Sequence, residues 1–146
     1  LEAAISTAVA ARMLNNGQSC IAAKRFILVG DIADRIEQQL VERYQALKVG
    51  DPLLPETDIG PLATPTILQE LEDQVKSAVQ QGARLLTGGH RLEAPGNFFP
   101  PTILASVPRD SAIAREEFFG PVAMVFRAGD IDEAIAIANN IPFGLG

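Results

Sequence analysis

The apolar positions along this chain repeat with two periods, helical and strand-like, and the two alternate from one end to the other. From Leu1 to Leu14 the residues are alanine-rich, with Ile5, Val9 and Leu14 as the larger apolar side chains, which predicts a helix buried on most sides. Asn15 to Ser19 breaks it. Arg25 to Val29 is a continuous apolar run, as expected of a strand covered on both faces of its sheet. Gly30-Asp31 opens a second helix with Asp31 as its N-cap; Ile32, Ile36, Leu40, Tyr44 and Leu47 fall near one face, and Gly50 ends it. Residues 51–63 carry Pro52, Pro55, Gly60 and Pro61 and read as loop. Thr64-Pro65 pairs an N-cap with proline at the first helical position, and Leu68, Leu71, Val75 and Val79 continue at helical spacing until Gly82. Short strands follow over Ala83 to Thr87 and Thr102 to Leu104, separated by a turn at Gly88-Gly89 and the proline-bearing loop 90–101. Residues 108–115 are irregular or a helical turn, and Val122 to Phe126 is another strand. Asp130 and Glu133 have the spacing of a capping box ahead of a last helix, Ile131 to Ala138. Alternation of this kind is the signature of an α/β domain: a largely parallel sheet flanked by helices.

Composition fits that picture. The length, 146 residues with 47% apolar content, suits one domain around one packed core. The net charge of −6 argues against a sequence-independent nucleic-acid binder, which needs a basic face. Lys and Arg form no block that would suit an anionic membrane surface, and no apolar run approaches the roughly 20 residues of a membrane span. A single cysteine excludes an internal disulfide framework and permits a reducing compartment. One histidine, His90, leaves no His-rich metal constellation, so no metal is expected. The chain starts at Leu1 within a helical pattern, without a signal-peptide layout, and ends at Gly146 without a charged tail. It reads as a piece of a longer protein, with a cytoplasmic setting.

That cysteine, Cys20, is the first candidate for chemistry. It lies at a corner between helix and strand, among small and amide residues with no bulk to bury its sulfur. The thiolate is the reactive form of cysteine, and exposed N–H groups at a turn favour it. Free cysteines are also commonly buried small hydrophobes, and the residues alone leave both readings open. Lys24 and Arg25 are the nearest cations in sequence. They suit lowering the thiol pKa or meeting an acidic substrate, but residues four and five positions on need not face the thiol, and solvated strand-edge charges are the preferred reading. His90 suggests a Cys/His dyad, yet no partner carboxylate of evident geometry accompanies it. Tyr44 reads as core.

Three stretches together resemble one family. Asn15-Asn16-Gly17-Gln18-Ser19-Cys20 resembles the cysteine motif N-x-G-Q-x-C of the aldehyde dehydrogenases. Glu116-Glu117-Phe118-Phe119-Gly120-Pro121-Val122 resembles their E-E-x-F-G-P-V motif. Asn140-Ile141-Pro142-Phe143-Gly144-Leu145 is similar to their N-x-x-x-G-L pattern with one residue fewer, while counting from Asn139 gives N-x-x-x-F-G-L. Within the family, the stretch from Asn15 to Leu28 is most similar to the bacterial NAD(P)-dependent succinate-semialdehyde dehydrogenases. Some of those enzymes carry a redox-switch cysteine two positions after the nucleophile; here that position is Ala22.

The resemblance implies an aldehyde dehydrogenase catalytic-domain fold and oxidation of an aldehyde to a carboxylic acid with NAD or NADP, with Cys20 as nucleophile and its own N–H helping to hold the oxyanion. It implies that Glu117 accepts hydrogen bonds from ribose hydroxyls on the nicotinamide side, that Phe119 packs beside the nicotinamide ring, and that Gly120 and Pro121 fix their loop. Without the motif, Glu116 and Glu117 would read as an exposed acidic pair and Phe118 and Phe119 as core; Glu116 is left structural. Gly17 reads either as a turn close to cofactor and substrate or as simple helix termination. The family's general-base glutamate, its asparagine oxyanion donor, and its main cofactor-binding and oligomerisation segments have no counterpart in the 146 residues. The whole chain is therefore expected to be a catalytic-domain fragment, inactive alone, of a homo-oligomeric enzyme. Two further readings stand beside it: a relative that passes the thioester to coenzyme A, and a non-catalytic α/β binding module with a structural Cys20.

Overall fold

The computed structural model describes residues 1–145. Its helices are α1 (Glu2–Met13), α2 (Ala33–Ala46), α3 (Pro65–Gln80) and α4 (Ile131–Asn139), and its strands are β1 (Arg25–Val29), β2 (Arg84–Thr87), β3 (Thr102–Ala105) and β4 (Val122–Ala128). The strands form one open sheet in the order β1-β4-β3-β2. β1 and β3 both pair with β4 in parallel, and β2 adds to β3 in antiparallel fashion. The expected α/β class and largely parallel sheet are both present.

Two apolar layers hold the sheet. Along β4, Val122, Met124 and Phe126 join Leu68, Leu71 and Val75 of α3 and Ile137 of α4, while Ala123 and Val125 join Ile5 of α1 and Leu40 and Tyr44 of α2. Burial on both faces explains why β1 and β4 read as near-continuous apolar runs. Each fully buried Leu, Ile or Phe in these layers contributes about 1.5–3 kcal/mol.

Two helix starts follow their sequence signals. Thr64 Oγ1 accepts from the N–H of Ile67 at 3.1 Å ahead of Pro65. Asp130 Oδ1 accepts from the N–H of Glu133 at 2.8 Å; Glu133 reaches back to the N–H of Gly129 at 2.6 Å, one residue before the cap. Two other expectations fail. Asp31 does not cap α2: Gly30–Ile32 form a short 3-10 turn, and α2 starts at Ala33 with no side-chain cap and ends at Ala46, before Gly50. Nor is α1 buried on most sides, since only Ile5 and Arg12 are buried along it. Its alanines reflect helix propensity as much as packing.

The sheet places three connecting segments at one end. The chain enters β1 through 14–24 and β4 through 116–121, and α4 delivers residues 139–145 to the same end. This is the amino end of the parallel strands, opposite to the carboxyl end at which open α/β sheets usually bind ligands.

Candidate active site

The Cys20 motif owes its shape to three successive left-handed residues, Asn15 (φ 52°), Asn16 (φ 55°) and Gly17 (φ 76°). Asparagine tolerates this region better than most residues, because its short side chain bonds locally. The amides do so here and also reach across the fold. Asn15 Nδ2 donates to Gln18 O at 3.0 Å, Asn16 Oδ1 accepts from Gly60 N at 3.1 Å, and Gln18 Oε1 accepts from Ala63 N at 2.9 Å. The motif's polar residues thus anchor its corner to the loop ahead of α3. Gly17 has a specific neighbour as well, since a Cβ there would overlap the carbonyl of Gly120 in the second motif. Close packing of two motif loops, with a left-handed backbone, is the reason for glycine at this position.

Cys20 is exposed, so its sulfur is not a small core hydrophobe. It lines a cleft of about 540 Å³ together with Lys24, Arg25, Glu117, Asn139 and Phe143. All three motifs contribute to this cleft. Asn139 lines it, whereas Asn140 does not, in keeping with the count that starts at Asn139. The Glu117 side chain is 35% exposed and pairs through Oε1 with Lys24 Nζ at 3.2 Å. Phe118 is fully buried, while Phe119 is 36% exposed and lines a neighbouring hollow with Ile67, Leu71 and Gln74. Glu116 and Glu117 border both spaces. Gln74 Nε2 bonds Glu116 Oε2 at 2.9 Å and the carbonyl of Glu117 at 3.2 Å, fixing this loop against α3. His90 is exposed in the loop after β2 and does not line the cleft. Among the described residues, no group of His, Cys, Asp and Glu is arranged to hold a metal, and no helix is long and apolar enough to cross a membrane.

The expectation of solvated strand-edge charges at Lys24 and Arg25 is overturned. Lys24 is only 6% exposed. Its Nζ donates to the carbonyls of Ala22 at 3.0 Å, Cys20 at 3.1 Å and Ser19 at 3.3 Å. Arg25 reaches the last turn of α4, where Nη2 donates to Ile137 O at 2.9 Å, and it stacks 4.9 Å from the Phe126 ring centroid. A cation at the carbonyl end of a helix is favourably placed. Partial burial lowers the Arg25 pKa, but the group stays a cap.

Arg12 is a residue the sequence pattern does not single out. It is fully buried and donates through Nη2 to the carbonyl of Gly17. Burial pushes its guanidinium down to about 10, opposed by the nearby Tyr44 and Glu117, so it stays charged at neutral pH. Burial likewise raises the Tyr44 pKa. The available signal was the charge itself, the one cation between Glu2 and the Gly17 corner on an alanine-rich helix.

The whole chain, residues 1–146, matches the model described as "Aldehyde dehydrogenase family". It is 55% identical over 146 residues to a probable succinate-semialdehyde dehydrogenase (NADP(+)) of Synechocystis sp., covering 100% of this chain and 32% of that protein. It is also 55% identical, with the same coverage, to succinate-semialdehyde dehydrogenase (NADP(+)) 1 of Mycobacterium tuberculosis. Among solved structures, a mutant aldehyde dehydrogenase from Bacillus cereus matches with TM-score 0.94 and 31% identity, over 98% of this chain and 29% of that one. Lactaldehyde dehydrogenase from Escherichia coli matches with TM-score 0.92 and 36% identity, over 96% and 30%. The chain spans about a third of the length of the curated relatives it matches. Three motifs meeting in one cleft, a family match over every residue and this agreement in fold make the chain a member of the aldehyde dehydrogenase family.

Proposed function

We propose that this chain supplies the nucleophile and part of the nucleotide site of an NAD(P)-dependent enzyme that oxidises an aldehyde to a carboxylic acid. The carrying observation is that exposed Cys20 and half-exposed Glu117 line one cleft, with the third motif closing it. The activities of the similar proteins favour succinate semialdehyde as the aldehyde and NADP as the nucleotide.

The residues fit such a nucleotide. Lys24 holds one oxygen of Glu117, and a carboxylate has acceptor capacity to spare for ribose hydroxyls. Phe119 exposes part of its ring beside that carboxylate, where it would pack against a planar group. When bound, NAD or NADP supplies the acceptor for the hydride released by the Cys20 adduct.

Cys20 carries the covalent chemistry. Its thiolate attacks the aldehyde carbon and gives a thiohemiacetal, whose oxygen takes up the negative charge. The N–H of Cys20 donates to no protein acceptor among the described residues, which leaves it for that oxyanion. Loss of hydride leaves a thioester on the sulfur. Water attacks its carbonyl, the acid departs and the thiol is restored. The base that activates this water belongs to segments outside the 146 residues, so the chain alone is inactive; the complete enzyme works as a homo-oligomer in the cytoplasm.

Cys20→Ala in the full-length enzyme tests the assignment. Turnover with an aldehyde and NADP falls by about 10⁴-fold or more. Turnover within tenfold of the parent defeats the proposal.

A further inference from the structure

We propose that Lys24 is a positioning residue that aims the oxyanion-binding N–H of Cys20 and holds the ribose-binding carboxylate of Glu117 from a single ammonium group. This rests on the site assignment above and adds to it a residue outside all three motifs.

The geometry at Nζ carries the inference. Three backbone carbonyls of the nucleophile loop, those of Ser19, Cys20 and Ala22, converge on it within 3.3 Å. The Glu117 carboxylate approaches it at 3.2 Å from the other motif loop. An ammonium is a compact charge with three donors, suited to acceptors arriving from several directions; a planar guanidinium is not. These bonds are charge-assisted, and their lysine end is buried. Among the described residues, none of the peptide bonds is cis. In a trans peptide the carbonyl and the following N–H point in opposite directions. Drawing the Ser19 carbonyl inward to Nζ therefore turns the Cys20 N–H outward, away from the lysine. That is the N–H left without a protein acceptor among the described residues. The same ammonium fixes Oε1 of Glu117, so the positions of nucleophile and nucleotide carboxylate are set relative to one point.

The test uses the full-length enzyme, with succinate semialdehyde and NADP as probes. Lys24→Met keeps the stem and removes charge and donors. It lowers kcat by about tenfold to a hundredfold, the scale of a misdirected oxyanion donor, and raises the KM for NADP by about tenfold. Iodoacetamide still alkylates Cys20, because the nucleophile itself is untouched. The double variant Lys24→Met/Glu117→Gln raises the KM for NADP no further than the larger single effect, since both changes act on one carboxylate. Values of kcat and KM within twofold of the parent overturn the proposal. So do single effects on the KM for NADP that multiply in the double variant. Lys24→Gln retains an amide donor and is read by the same criteria where Lys24→Met does not fold. Loss of folding in both assigns Lys24 to stability alone and overturns the proposal as well. A silent Lys24→Met beside an inactive Cys20→Ala removes only the positioning role. Activity retained in Cys20→Ala removes the site assignment itself.

Discussion

Glu72 and Glu117 are both carboxylates bordered by cations, yet their surroundings serve opposite ends. Glu72 lies on α3, almost buried, and is saturated by its own protein. Arg91 reaches Oε2 through Nη2 at 2.8 Å and Nε at 3.0 Å, its backbone N–H reaches Oε1 at 3.2 Å, and Lys76 adds a contact at 3.1 Å. The Arg91 side chain is the main reason its carboxyl sits at about 2, with the Arg91 N–H and Lys76 helping against burial. This pins the loop after β2 to α3. Glu117 stands half-exposed at a cleft, and among the described residues its carboxylate meets one donor group, Lys24. A carboxylate consumed by internal donors holds a fold together; one tethered at a single oxygen beside an open space is available to a ligand.

The contrast can be broken at either carboxylate. The largest effect belongs to Glu72. Its folded-state pKa lies below the ordinary 4.5, so its contribution is fully present above that value and is lost as pH falls toward about 2. The shift corresponds to stability on the order of 3 kcal/mol. Glu72→Gln lowers stability at pH 7 by about 2 kcal/mol and flattens the acid limb of the stability profile, with little change in turnover. Urea unfolding at pH 7 and pH 3 checks it, and an unchanged pH 7 midpoint would refute the structural role.

Glu117→Gln exchanges the pattern. It raises the KM for NADP by about tenfold, the loss of a charged acceptor. Stability changes by under about 1 kcal/mol, as expected for a partly exposed ion pair. Steady-state kinetics with thermal unfolding of the same preparation separates the two, and a destabilised protein with normal KM would invert the comparison. The smallest effect is at His90, which is exposed and away from the cleft. His90→Ala leaves kcat/KM within about twofold and the pH profile unmoved; a tenfold loss would reinstate a Cys/His dyad.

Much of this arrangement was legible in the chain. Periodicity located the strands and the caps of α3 and α4, because those signals are local: Thr64 and Asp130 each bond an N–H three residues ahead. The three motifs pointed to Cys20 and Glu117, which share a cleft, and to Phe119, which lies in the adjoining hollow. What sequence pattern could not supply was the partner of each buried or partly buried cation. Lys24 looks like a strand-edge charge until the loop curls its carbonyls around Nζ. Arg25 looks similar until α4 arrives from more than a hundred residues downstream. Arg12 is one charge on an alanine helix until Gly17 turns its carbonyl toward it. The Arg25 contact is made by chain folding over a long separation, and the other two by irregular turns a few residues long; no periodicity encodes either.

The abutment of Gly17 on Gly120 carries a lesson for anyone re-engineering this scaffold. The nucleophile corner and the glutamate loop form one interlocking part. A library that diversifies either alone will be filtered first by steric fit to the other and only then by catalysis. Transplanting a foreign nucleophile loop should succeed only when its matching glutamate loop travels with it.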